Sequence, residues 1–187
     1  VGAIMEGADI KIVNPDPVDH EGEIVVKGSM VMKGYYKDEE KTSEVFTDDG
    51  YFRTGDLGHL DPKGILYIRG RLKNMILGPN GENIYPEEIE AVINREQYVS
   101  ESLVMQYKGK LTARVHLNME SFEEKYKHLK ENAEEFKKHV QERADEALEE
   151  IMLRVNEHVA RNSKLQLMIL QVQPFEKTPT HKIKRFL

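Results

Sequence analysis

Three short segments of the sequence carry side chains whose types and spacing could hold a phosphorylated ligand. The first, Tyr51-Phe52-Arg53-Thr54-Gly55-Asp56, ends on an aspartate that follows a strand-like run. With Gly55 beside it to permit close approach, that carboxylate can accept both hydroxyls of a ribose diol. Taken alone, an aspartate in a turn is better read as a cap on backbone N–H groups. The second segment is Gly70-Arg71-Leu72-Lys73, followed by the stretch from Asn80-Gly81-Glu82-Asn83-Ile84 to Glu90. An arginine fork beside a glycine can reach a phosphate or a ribose, and a glycine loop lets backbone approach a ligand. Singly, these are an exposed arginine and a turn. The third is the basic tail, 177–185, and charge of this kind is ordinarily solvated or a nonspecific attractor of phosphate.

The elements that must position these groups change character along the chain. Up to about residue 70 the sequence reads as short strands divided by turn chemistry. Ile10 and Ile12 share a face before Asn14-Pro15-Asp16-Pro17 stops the run, and similar strands are expected at 23–27, 52–54 and 65–69. The last follows the turn Asp61-Pro62-Lys63-Gly64. Beyond Lys73 a small α+β unit is expected. Met75-Ile76-Leu77 is a short strand, Gly78-Pro79-Asn80-Gly81 a turn, and Pro86 with Glu87 and Glu88 opens a helix to about Asn94. Lys108-Gly109-Lys110 separates two hairpin strands, and a final strand is expected at 167–172.

Between them, 121–161 lacks proline and glycine. Phe122, Tyr126, Leu129, Ala133, Phe136 and Val140 recur at helical spacing, continued by Leu148, Ile151, Val155 and Val159. Ser121 with Glu124 suits a capping box. One long rod and a hairpin broken near 142–145 fit equally well. The stripe is expected to pack on the chain's own sheet, with a docking surface as the alternative.

Composition limits the range of functions. The chain of 187 residues carries 33 acidic and 27 basic residues, a formal charge of −6, which speaks against general nucleic-acid binding. No apolar run approaches the roughly 20 residues of a transmembrane segment, and no secretory signal opens the sequence, so the cytoplasm is the expected compartment, with peripheral membrane attachment left open. There is no cysteine, which removes disulfides and thiolate metal sites. A start at Val1 suggests a piece of a longer polypeptide.

In this order, the three segments resemble the adenylate-forming superfamily of acyl-CoA synthetases, luciferases and peptide-synthetase adenylation domains. Gly22-Glu23-Ile24-Val25-Val26-Lys27-Gly28, Gly34-Tyr35-Tyr36 and the stretch from Thr42 to Phe46 add to the likeness. The resemblance implies a large N-terminal domain, mostly missing, whose C-terminal β-rich portion occupies 1–72 as part of a barrel. A small mobile C-terminal domain would then fill 73–187. It implies ATP, Mg2+ and coenzyme A as cofactors and a fatty acid as substrate. By the same resemblance Asp56 and Arg71 bind the nucleotide, Lys73 is the hinge, and Gly81, Glu82 and Asn83 line the coenzyme A path. Lys182 is the lysine of the adenylation step, preferred over Lys184 because Thr180 and Ile183 frame it. His181 stands where the family often has glycine. The interval from Arg71 to Gly81 and the phrase Glu176-Lys177-Thr178-Pro179-Thr180 are similar to long-chain fatty acyl-CoA synthetases. No resident metal site is implied. The implied activity is a long-chain fatty acid:CoA ligation through acyl-AMP, with the isolated chain inactive. An adenylation domain that loads a carrier protein and a noncatalytic helical interaction module are the alternatives.

Overall fold

The computed structural model of the protein describes residues 2–17, 19–126 and 133–185. The fold is mixed α+β, and the chain divides into two compact units, Val1–Met75 and Ile76–Leu187. They meet a few residues past the expected boundary between Leu72 and Lys73.

The first unit is a five-stranded antiparallel sheet with strand order β1-β5-β4-β3-β2. Its strands are β1 (Gly2–Ala3), β2 (Ala8–Val13), β3 (Gly22–Gly28), β4 (Phe52–Leu60) and β5 (Ile65–Arg71), and a short helix α1 (Glu39–Glu44) lies between β3 and β4. Strand β4 runs well past the expected 52–54. Beyond the expected end, Asp56 pairs with β5, and Leu57 and Gly58 pair with both β3 and β5. Gly58 explains part of this, because a Cβ there would run into the Tyr67 carbonyl oxygen of β5. Only a glycine allows the two strands to approach so closely. Asp61-Pro62-Lys63-Gly64 makes the expected turn from β4 to β5, with Gly64 left-handed at φ 75°.

The second unit begins with a small hairpin of β6 (Ile76–Leu77) and β7 (Asn83–Ile84), then α2 (Pro86–Ile93). Pro86 sits in the first turn, where its missing N–H is not needed, and Glu87 and Glu88 complement the helix dipole. Next come β8 (Val99–Tyr107) and β9 (Lys110–Leu117), then α3 (Met119–Tyr126), α4 (Ala133–His158) and β10 (Leu167–Leu170). Strands β8 and β9 form the expected hairpin about Lys108 and Gly109, and β10 joins β9 in parallel, so β8 is an edge. The core gathers Ile89 and Ile93 of α2, Val104, Ala113, Val115 and Leu117 of the sheet, and Phe122, Ala144, Leu148, Ile151 and Val155 of the helices. The described part of the amphipathic stripe therefore covers the chain's own sheet.

One helix expectation is corrected, and one of two open readings is decided. The N-terminal cap is Asn118, whose Oδ1 accepts the Ser121 N–H at 3.1 Å, because α3 already begins at Met119 and leaves Ser121 inside its first turn. Nor is there a break near 142–145. Helix α4 continues through it, with Ala144 wholly buried one turn before Leu148. Leu129 of the expected stripe lies outside the described residues, as do the side chains of Tyr126, Ala133, Phe136 and Val140.

Candidate functional site

In the first unit a local irregularity brings together two of the predicted residues. Strand β3 advances from Glu23 to Val25 while its partner β4 runs from Leu57 back to Arg53, so Thr54, Gly55 and Asp56 bulge out of the ladder. Gly55 turns the bulge with φ 70°, a conformation that suits glycine. The Thr54 hydroxyl donates to the Ile24 carbonyl at 2.8 Å and accepts the Asp56 N–H at 3.0 Å. Asp56 is thus aimed by a threonine cap and is not itself the cap.

On the neighbouring strand Arg71 lies directly in register with Asp56. Its Nε is 3.0 Å from Asp56 Oδ1, and its Nη1 donates to the Thr54 carbonyl at 2.8 Å. Asp56 keeps 31% of its side chain exposed and Arg71 51%, so a ligand can reach both. A carboxylate suited to a diol and a guanidinium suited to a phosphate, held edge to edge, form a small polar platform. Thr54, which fixes both partners, was not singled out in the sequence. The Thr-Gly-Asp order was its only signal. Lys73 is exposed in a single 3-10 turn, Leu72–Asn74, just before the second unit starts.

In the second unit Gly81 occupies the left-handed corner of the β6–β7 hairpin at φ 87°, with open space where a Cβ would stand. The Glu82 carboxylate folds back over the turn and accepts from the Asn80 N–H at 3.2 Å and Asn80 Nδ2 at 3.1 Å. The Asn80 side-chain bond in particular holds Glu82 below the ordinary carboxylate range. Asn83 is in β7, paired with Leu77. A cleft of about 290 Å³ adjoins this hairpin and is lined by Asn80, Glu82, Gln106, Arg161, Lys164 and Gln166 among others.

The basic tail forms a second hairpin. Lys177 bridges Ile183, the Thr178 N–H donates to the Lys182 carbonyl at 2.8 Å, and the His181 N–H donates to the Thr178 carbonyl at 2.9 Å. This pattern is a turn closed by a bulge whose corner residue must be left-handed. The turns 47–51, 61–65 and 78–82 show the same pair of bonds, with Gly50, Gly64 and Gly81 at the corner. In the tail His181 takes that place, at φ 60°. Histidine therefore fills a corner that glycine takes in the other three turns, with the same pair of bonds. Lys182 follows the corner and is exposed, its N–H bonded to Thr178 Oγ1 at 3.2 Å. The neighbouring cations are engaged: Lys177 with Glu101, Lys184 with Glu176 at 3.2 Å, and Arg185 with Glu90 at 2.5 Å. Among the described residues the Lys182 ammonium has no ion-pair partner, which sets it apart from Lys184. No cluster of three carboxylate or imidazole groups able to hold a metal ion occurs among the described residues. No helix among them is long and apolar enough to cross a membrane.

Comparison with known proteins bears on what these elements belong to. No family model matches the chain. The long-chain-fatty-acid–CoA ligase heimdall of Drosophila melanogaster is 45% identical over 95 residues, 51% of this chain and 14% of that protein. The sulfoacetate–CoA ligase of Cupriavidus necator is 49% identical over 88 residues, 47% of this chain and 17% of its own length. The chain thus spans less than a fifth of either relative. Among solved structures, the o-succinylbenzoate CoA synthetase of Bacillus subtilis in complex with its acyl-adenylate intermediate superposes with a TM-score of 0.73 at 26% identity, over 97% of this chain and 33% of that one. The polar platform and the lysine hairpin belong to a chain matched over nearly its whole length by one third of that synthetase: the chain's homologues are acyl-CoA ligases and other adenylate-forming enzymes, and it corresponds to one part of them.

Proposed function

We propose that the chain is the C-terminal portion of an AMP-forming acyl-CoA ligase. The observation that carries this reading is the in-register pair of Asp56 and Arg71 on a bulged strand, accessible and mutually oriented. Asp56 accepts the ribose hydroxyls of ATP and Arg71 contacts the nucleotide. The carboxylate oxygen of the acid attacks the α-phosphorus, the bond to the bridging oxygen breaks, and pyrophosphate leaves. Lys182 stabilises the negative charge gathered on both reacting groups and holds their approach. An unpaired, exposed ammonium is the form of lysine that such a role needs.

In the second half-reaction the sulfur of coenzyme A attacks the acyl carbon and AMP departs. Gly81, Glu82 and Asn83 border the path of the incoming thiol, and Lys73 is the hinge about which the second unit, beginning near 73–76, reorients. Mg2+ accompanies ATP in this reaction. A long-chain fatty acid is the acid we assign, from the Arg71-to-Gly81 interval and the likeness to heimdall. The sulfoacetate ligase, matched at 49%, carries a similar segment in an enzyme named for a different acid.

The test uses the ligase that carries this segment. Lys182→Ala abolishes ATP–pyrophosphate exchange yet spares thioester formation from supplied acyl-adenylate; equal loss of both reactions refutes the role. The 187-residue chain alone releases no pyrophosphate from ATP and palmitate.

A further inference from the structure

The tail hairpin is held to the rest of its unit at a place where the sheet would otherwise be open. Strand β8 is an edge, and an edge strand presents backbone groups with no neighbouring strand to receive them. At Val104 those groups are met by two side chains distant in sequence. Glu90, on the inner face of α2, accepts the Val104 N–H through Oε1 at 2.7 Å. Arg185, one residue past the second arm of the tail hairpin, donates Nη1 to the Val104 carbonyl at 3.5 Å. The two also join each other as a fork, with Arg185 Nη1 2.8 Å from Glu90 Oε1 and Nη2 2.5 Å from Oε2, while Glu87 adds a second carboxylate at 3.6 Å. Together they occupy the place of a missing strand: the carboxylate supplies the acceptor and the guanidinium the donor.

Both side chains are largely withdrawn from water, 12% exposed for Glu90 and 17% for Arg185. Burial pushes the Glu90 carboxyl above its ordinary value, and the pull of Arg185 and of the Val104 N–H does not cancel it. A carboxylate in such a setting depends on its partner, and removing one member leaves the other stranded. The first arm of the hairpin is tied separately, by the ion pair of Lys177 with Glu101, whose carboxylate also comes from β8. The hairpin carrying Lys182 is therefore anchored on one arm to β8 and on the other to β8 and α2, and Lys182 lies between the anchors without an ion-pair partner among the described residues.

We infer that Arg185 and Glu90 are positioning residues for Lys182: their fork clamps the tail hairpin to β8 and so sets where the lysine ammonium is presented. This rests on the assignment of Lys182 to the adenylation step. The clamp acts through geometry, since both side chains are spent on each other and on the Val104 backbone. Its effect falls on the half-reaction that uses Lys182 and not on the one that uses the 78–83 hairpin.

Two measurements test it. In the 187-residue chain, Arg185→Gln and Glu90→Gln raise amide exchange at Thr178 and Lys184, the hairpin amides, by on the order of tenfold or more, with Arg185→Lys in between because it keeps charge but loses the fork. Unchanged exchange at these amides overturns the clamp whatever Lys182 does. In the ligase that carries this segment, the same substitutions lower kcat for pyrophosphate exchange by roughly tenfold to a hundredfold with little change in KM for ATP, and leave thioester formation from acyl-adenylate near its original rate. Equal loss in both half-reactions means a merely structural role and also overturns the inference. If Lys182→Ala itself leaves pyrophosphate exchange intact, the assignment of Lys182 fails, and that outcome is separate from loss of the clamp in the exchange experiment.

Discussion

His181→Gly tightens the hairpin that presents Lys182. The corner of this turn is left-handed, φ 60° at His181, and the same corner in turns 47–51, 61–65 and 78–82 belongs to glycine. A residue with a Cβ in this region costs roughly 1–2 kcal/mol, and histidine is among the side chains that tolerate it better than most. Glycine removes that cost but loosens the unfolded chain, which takes back about 0.4–1 kcal/mol. Taking about 1.5 and about 0.7 leaves a gain of about 0.8 kcal/mol, or close to a fourfold change in the local opening equilibrium at RT of about 0.59 kcal/mol. The assay is amide exchange at Thr178, which donates to the Lys182 carbonyl, and at Lys184, which donates to Glu176. Neither amide adjoins position 181, so their intrinsic rates stay the same. Exchange about fourfold slower in His181→Gly, and faster in His181→Val because a β-branched side chain fits this region badly, is the expected result. Equal exchange in the two variants refutes the reasoning, since the corner would then carry no conformational cost.

Other expectations concern parts of the molecule away from that turn. Lys11 bonds the Asp49 carboxylate, with help from Thr47, and holds its pKa at about 2, so the contact is complete above the ordinary 3.8 and is lost as pH falls toward 2. Lys11→Met moves the Asp49 midpoint, followed by carboxyl NMR, back toward 3.8; an unmoved midpoint removes Lys11 as the cause. Gly58→Ala drives a methyl into the Tyr67 carbonyl between β4 and β5 and destabilises the first unit by about 3 kcal/mol or more in denaturant unfolding. A cost below about 1 kcal/mol would mean that the strands can part without penalty. Ile151→Ala, at a position 2% exposed, costs about 3 kcal/mol by the same measurement, whereas Leu153→Ala, 65% exposed, stays within about 0.5. Similar costs at the two positions contradict the assignment of the inward face of α4.

What could be read from the sequence was what short spans encode. Asp61-Pro62-Lys63-Gly64 and Gly78-Pro79-Asn80-Gly81 declare their turns because proline sets one torsion and glycine supplies the left-handed corner. Pro86 with its two glutamates marks a helix start, and the spacing of Leu148, Ile151 and Val155 marks its buried face. Reading failed where a local pattern had a stronger nonlocal competitor. Ser121 and Glu124 satisfy a capping rule, but Asn118 stands closer to the end of β9 and takes the cap as the chain leaves the sheet. Thr54-Gly55-Asp56 reads as the end of a strand, and only the pairing resumed at Leu57 and Gly58 with both β3 and β5 keeps β4 running past it as a bulge.

The candidate site divides along the same line. Asp56 and Arg71 could each be picked out by residue type, but their register depends on how β4 and β5 close around Gly58, which no window of the sequence contains. Likewise the preference for Lys182 over Lys184 rests, in sequence, on flanking residues alone. In the fold it has an electrostatic reason: Glu176 takes Lys184, Glu101 takes Lys177, Glu90 takes Arg185, and Lys182 is left for something else. Two of these partners, Glu90 and Glu101, lie far from the tail in sequence, so the distinction exists only after folding. A tail that looks like undifferentiated positive charge becomes one available cation among neutralised ones, and availability, more than charge, is what a group must have to meet a substrate.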